Sequence, residues 1–345
     1  YRALAKIHPR GSTNLYGGWK AGMESLLPKA TDAALARVIL LSDGNANTGE
    51  TTETDAIANF CAEAVGKGVT TSTYGLGHKF NEELMVEMAK RGAGNHYYGD
   101  TAADLFEPFA EEFDLISNLY ARHLRLSLAG PQGVKITLLN DYPVEDREGF
   151  PLIGLPDIPW GAEAWALVEL EIPAGLAVEP VNQILQAAVT ASTIDGAPVA
   201  FQDATLALKA FSPQAWEAIV EDPLVLSRKM ELDAGNLLAQ ARAAAEYGDW
   251  EAIQKMIAEA QKRFAGHPWV MEILAEMADL AAYRDSARFR KEALYSSGKM
   301  SRRLSAKEEM LASMAMESAS ASYLRRKKAP GKAPFENRPA DNSSN

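Results

Sequence analysis

The 345-residue chain contains one cysteine, Cys61. That excludes an internal disulfide framework and any zinc site built on cysteine. Cys61 falls in the helical phase of "AIANFCAEAVGKG", where a buried small hydrophobe is the expected role rather than a reactive thiol. No apolar run approaches the roughly 18 residues needed to cross a bilayer, so no transmembrane segment is expected. Basic charge is scarce: 35 Lys and Arg face 46 Asp and Glu, a net charge of −11, which argues against a nucleic-acid footprint over the body of the chain. The phosphate-cradling Gly-x-x-x-x-Gly-Lys, the nucleophile elbow Gly-x-Ser-x-Gly and the zinc motif His-Glu-x-x-His are all absent. "YGLGHKFN" carries glycines but lacks the third glycine of a dinucleotide loop. The histidines, His8, His78, His96, His123 and His267, are scattered without ligand spacing, and His78 reads as a solvated loop residue. With no nucleophile–base or carboxylate acid–base pair to place, the chain is read as non-enzymatic.

What is present is ordinary for a globular protein: 47% hydrophobic and 23% charged residues. Residues 1–118 alternate helix and strand signals. "NLYGGWKAGMESLLP" spaces Leu15, Trp19, Met23, Leu26 and Leu27 along one helix face and stops at Pro28. "RVILLSD" is a continuous aliphatic run suited to a strand of a parallel sheet. "TETDAIANFCAEAVGKG", "VTTSTYGLG", "FNEELMVEMAKRGAG", "NHYYGD" and "TAADLFEPFAEEFDLISNLY" continue the alternation, with Asn81 and Thr101 as helix caps. This is the pattern of an open, doubly wound α/β sheet. The carboxylates of "DLFEPFAEEFD" read as that helix's solvated face.

From residue 119 to 212, alternating runs such as "RHLRLSLAG", "GVKITLLND", "AWALVELEIP" and "QILQAAVTAS" lie between Pro and Gly turns and predict an antiparallel β-sandwich. Within it, "DYPVEDREGFPLIGLPDIPWG" reads as a packed, proline-rich connection. Residues 213–318 are alanine-rich and helical, broken at "YGDW" and "FAGHPW", with no second copy of a 34-residue repeat. Residues 319–345 form a basic, disordered-looking tail in which "YLRRKK" (323–328) reads as a solvated helix end or a docking segment for an acidic surface or anionic membrane. Trp160, Trp165, Trp216, Trp250 and Trp269 are expected to be core anchors.

The chemistry lies near the front. "VILLSDGNAN" ends a strand in Asp43 at the carboxyl edge of a parallel sheet, where such sheets bind ligands. "RGSTNLYGGW" would bring Thr13 to the same rim from the loop before a helix. Hydroxyl and carboxylate oxygens are hard donors that suit Mg²⁺. The local alternative is that Asp43 starts a turn and Thr13 or Ser12 caps a helix.

These motifs, in this order over residues 1–118, resemble the second half of a von Willebrand factor type A domain. The resemblance implies a metal-ion-dependent adhesion site to which Thr13 of "GSTN" and Asp43 of "LSDG" contribute, holding Mg²⁺ (or Ca²⁺ or Mn²⁺) whose open position takes an acidic side chain from a partner protein. The family's Asp-x-Ser-x-Ser stretch does not occur before Thr13, so the sequence is expected to be a fragment of a longer protein, to be completed by another chain, or to come from a truncated gene. Without the domain's first half the "VILLSD" strand would present an unpaired edge, and two protein oxygens hold Mg²⁺ weakly. The following sandwich and helices are similar to the bacterial Ca-activated chloride channel-like group. A structural or assembly protein, packing through that edge and its helices with a vestigial metal site, is the other reading. The opening at Tyr1 reads as a start inside a domain and leaves localisation open, with the cytoplasm slightly favoured.

Overall fold

The computed structural model describes residues 11–31, 34–77, 79–147, 150–173, 183–207, 211–302 and 305–306. His8, His78 and the "YLRRKK" cluster lie outside them. The chain divides into two compact units at Glu112 and Phe113.

The first unit is an α/β layer structure. Helix α1 (Leu15–Leu26) leads to strand β1 (Ala36–Ser42), α2 (Thr54–Gly66), β2 (Val69–Leu76), α3 (Glu82–Arg91), β3 (His96–Gly99) and α4 (Phe106–Ser117), within which the unit boundary falls. The strands pair in parallel in the order β1-β2-β3, with Leu41 opposite Tyr74 and Ser42 opposite Gly75. Alternation along β1 sorts its side chains between two faces. Ala36 and Val38 join Leu15, Trp19, Ile57, Leu84 and Met88 in one core, whereas Ile39 packs with Tyr74, Tyr97, Leu105 and Phe109 in another.

Strand β2 is buried almost throughout although half its residues are serine or threonine. Burial of such groups is tolerated because each finds a partner. Thr71 Oγ1 accepts from Trp19 Nε1 at 3.0 Å, Thr73 Oγ1 donates to the Met85 carbonyl at 2.8 Å, and Ser72 Oγ donates to Glu112 at 2.6 Å. Glu112 corrects the reading of α4's carboxylates as a solvated face: its side chain is fully buried and takes four hydrogen bonds. Cys61 is buried, and desolvation pushes its thiol up to about 12 against a smaller opposing contact with Thr71. Native protein at pH 8 is therefore expected to leave Cys61 unmodified by iodoacetamide over hours, with stoichiometric reaction in denaturant, as followed by mass spectrometry.

The second unit opens with β4 (Leu119–Ala129), β5 (Lys135–Leu138), β6 (Val144–Arg147), β7 (Phe150–Gly154), β8 (Ile158–Pro159), β9 (Ala162–Glu163), β10 (Val168–Glu171), β11 (Leu185–Ser192), β12 (Pro198–Val199) and β13 (Ala204–Leu206). A seven-stranded sheet runs β12-β11-β4-β7-β6, with β13 on β11 and β8 on β4; β5 and β10 form a separate antiparallel pair. Leu126, Leu128, Tyr142 and Ile153 form the core between them, joined by Ile136, Leu138 and Val168. The proline-rich stretch read as a connection instead supplies β6, β7 and β8. Pro151 lies just beyond the Leu152–Gly154 segment that pairs with β4, so its missing N–H costs that ladder nothing.

Helices α5 (Pro213–Glu217), α6 (Pro223–Glu246), α7 (Trp250–Arg263), α8 (Pro268–Tyr283) and α9 (Ser286–Arg302) follow, and β14 (Ser305–Ala306) pairs with β9. The breaks at "YGDW" and "FAGHPW" fall where expected, because Asp249 caps α7 and His267 caps α8. Leu238, Ile257, Leu274, Met277 and Phe289 are buried together between the helices. Asn140 Nδ2 donates to the Ser301 carbonyl at 2.6 Å and Arg228 lies 4.8 Å over the Trp165 ring, tying helices to strands within this unit. Trp250 and Trp269 pack on the helical core as expected. Trp160 and Trp216 do not; they are 72% and 68% exposed, the first on a turn beside Tyr120 and the second on the five-residue α5.

Candidate functional site

At the carboxyl edge of the three parallel strands, the loop before α1 and the loop after β1 are hydrogen-bonded to each other. Thr13 N–H donates to Asn47 Oδ1 at 2.8 Å, and Asn47 N–H donates to the Thr13 carbonyl at 3.2 Å. Thr13 Oγ1 stands so close to Gly44 that a Cβ there would lie 3.2 Å from it. The sequence-derived hydroxyl is thus beside the residue that follows Asp43. Asp43 itself is exposed and Thr13 half-buried, so both face accessible solvent.

The local jobs that could have explained these two residues are done by their neighbours. Asn14 caps α1, its Oδ1 accepting from Gly17 N–H at 2.8 Å, so neither Ser12 nor Thr13 is the cap. Ser42, not Asp43, ties the turn after β1: its Oγ donates to the Gly44 carbonyl at 3.1 Å. Other acids at this edge are already committed. The Tyr98 hydroxyl donates to Asp100, and Asp104 accepts from the Thr101 amide and hydroxyl at 2.8 Å each.

Two further groups shape the rim. Gly49, at φ +117°, passes over Asn14 so closely that a Cβ would fall 2.2 Å from Asn14 Oδ1. Glu50 pairs with Lys20 at 2.9 Å and, through that hydrogen bond, holds the ammonium above the ordinary lysine range. Asn14, Asn47 and Gly49 were not singled out in the sequence; the "GNANTG" run after Asp43 was the available signal, since Asn and Gly dominate tight loops. His96 Nδ1 lies 2.9 Å from Thr73 Oγ1, and His267 caps α8.

Parallel strands alternating with helices, with a threonine loop and an Asp-Gly loop joined at the carboxyl edge, define a von Willebrand factor type A-like fold. A von Willebrand factor type A protein from Catenulispora acidiphila superimposes with a TM-score of 0.62 over 87% of this chain and 72% of its own, at 14% identity. The ArnB paralog VWA2 from Sulfolobus acidocaldarius matches with a TM-score of 0.44 over 86% of this chain and 72% of its own, at 17% identity. An uncharacterized protein of Escherichia coli (strain K12), YfbK, is 35% identical over 107 residues, 30% of this chain and 18% of that protein's length. No family model matches the chain. Among the described residues, no helix is long and apolar enough to cross a membrane.

Proposed function

We propose that this chain is a metal-dependent protein-binding module without catalytic activity, in which a divalent ion joins Thr13 and Asp43 to a carboxylate on a partner protein. The observation that supports this reading is that the Thr13 hydroxyl stands beside Gly44, the residue after exposed Asp43, on two clasped loops, with the ordinary capping and turn duties taken by Asn14 and Ser42. The donor set fits a hard cation such as Mg²⁺, with Ca²⁺ or Mn²⁺ as substitutes. Two side-chain oxygens bind such an ion weakly, so water, the partner's carboxylate and an Asp-x-Ser-x-Ser segment supplied in cis or in trans complete its shell. On this reading the chain would be similar in architecture to the bacterial Ca-activated chloride channel-like group.

Calorimetric titration of this chain with Mg²⁺ is expected to give weak or undetectable heat, with binding recovered when a segment carrying Asp-x-Ser-x-Ser is added. Mn²⁺ is expected to broaden the amide resonances of Thr13, Asp43 and Gly44 selectively, and Thr13→Ala/Asp43→Ala to abolish that broadening. Tight Mg²⁺ binding by the chain by itself contradicts the ligand count, and uniform broadening contradicts the site.

A second reading has its own support. Among the described residues β1 bonds to β2 on one side only, and Leu41 on it is 52% exposed. Such an edge is a template for another strand, so packing of this edge and of the helices against other chains would make the protein an assembly component with a vestigial metal site. Partner binding that survives Thr13→Ala/Asp43→Ala selects this reading over the metal bridge.

A further inference from the structure

The second unit carries an apolar surface that the proposed rim does not use. Between Phe211 and Leu226 every residue is exposed, including Trp216 at 68%, Val220 at 89%, Val225 at 50% and Ile219 at 46%. Side chains of this size are normally covered, and a contiguous run of them marks a contact surface. The same stretch holds Glu217, Glu221 and Asp222 and no lysine or arginine. Whatever covers it should therefore combine apolar and cationic groups.

We propose that the occupant is the chain's own "YLRRKK" segment, residues 323–328, in which Tyr323 and Leu324 precede Arg325, Arg326, Lys327 and Lys328 without an acidic residue. Its composition is complementary in both respects. Tyr323 and Leu324 supply apolar groups to match Trp216, Ile219 and Val220, and the four cations supply the charge to match Glu217 and Glu221. Reach is no obstacle. The described chain last appears at Ala306, paired with Ala162, and the 19 residues from 307 to 325 can span roughly 60 Å when extended. That is comparable with half the circumference of a unit roughly 40 Å across. The contact is intramolecular, so its effective concentration is in the millimolar range and a weak local affinity suffices. Binding to it shields the apolar stretch and withholds the cationic segment from other acidic surfaces.

Hydrogen exchange of the full chain, read by mass spectrometry at low salt, tests this. Amides of residues 214–222 are expected to exchange about tenfold more slowly in wild type than in Arg325→Gln/Arg326→Gln/Lys327→Gln/Lys328→Gln, the factor given by a local affinity tenfold tighter than the effective concentration. Glu217→Lys/Glu221→Lys should lose the same protection, and combining it with glutamates at 325–328 should restore it. Asp222 is left intact because it caps α6, accepting from the Leu224 and Val225 amides at 2.8 and 3.1 Å. Glu217→Lys/Glu221→Lys should also sediment more strongly with phosphatidylserine vesicles than wild type, and the gain should vanish when Arg325, Arg326, Lys327 and Lys328 are all glutamine, which separates release of the segment from the two added lysines. Equal exchange in all variants overturns the proposal. So does protection that weakens on dilution, which points to a second copy, or vesicle binding by wild type undiminished relative to the variant, which points to a membrane.

Discussion

Replacing Glu112 by alanine is expected to lower the stability of the α/β unit by about 3–5 kcal/mol, the loss typical when one partner of a buried ion pair is removed. Its carboxylate meets four donors from three segments of the sheet. Arg37 Nη1 and Ser72 Oγ donate to Oε1 at 2.8 and 2.6 Å, and Asn95 Nδ2 and the Tyr97 hydroxyl donate to Oε2 at 2.9 and 3.0 Å. Removing it leaves the Arg37 guanidinium, 4% exposed, without its counter-charge. Glutamine is nearly as poor a substitute, since its amide N–H groups would confront donors where the carboxylate offered lone pairs. Arg37→Met/Glu112→Met should recover only part of the loss, because it removes the stranded guanidinium but still takes from Ser72, Asn95 and Tyr97 the acceptor that Glu112 supplied. Urea titrations of the two single variants and the double variant measure the coupling directly. Burial pushes the Glu112 carboxyl upward, but the Arg37 charge and the hydrogen bonds from Ser72 and Asn95 outweigh it, so the group ionises below the ordinary carboxylate range. The unfolded chain then binds the extra proton as pH falls, and the stabilisation, complete above the ordinary carboxylate value, is lost through the more acidic range below it. The slope of stability against pH below about 4 should flatten in the methionine pair.

Glu112 also shows where the sequence stopped being legible. The order of helices and strands over residues 1–118 could be read from periodicity and from caps such as Asn81 and Thr101, because those signals are local. "DLFEPFAEEFD" looks like a solvated acidic face for the same reason: nothing nearby in the chain announces that Arg37, 75 residues earlier, will stand opposite. The polar strand β2 carries the complementary half of that information in Ser72, which only three-dimensional proximity decodes. At the rim, Thr13 and Asp43 were readable as oxygen donors at loop ends. The hydrogen bonds that join their loops belong to Asn47, a residue with no chemistry of its own to single it out. Exposed Trp216 failed differently. Aromatic bulk predicts burial on average, but a five-residue helix has too little surface to form a core.

Gly49→Val is expected to separate the geometry of the rim from its donors. Gly49 holds φ +117°, a region that β-branched residues scarcely enter, and its added side chain would meet Asn14, whose carboxamide caps α1. Backbone strain of about 1–3 kcal/mol and loss of a cap worth about 1 kcal/mol together predict a destabilisation of roughly 2–4 kcal/mol, visible as a lower urea midpoint. The loop can escape the strain only by lifting from α1, and lifting breaks the bonds between Thr13 and Asn47 that bring the hydroxyl beside Gly44. Selective Mn²⁺ broadening at Thr13 and Gly44 should therefore fall at least tenfold although both oxygen donors remain in the chain. Thr13→Ala/Asp43→Ala should do the reverse, abolishing the broadening while leaving stability within about 0.5 kcal/mol, as substitutions outside the core and away from caps usually do. If Gly49→Val instead keeps the broadening intact, the clasp between the two loops is not what assembles the site, and Thr13 and Asp43 reach the ion independently of it.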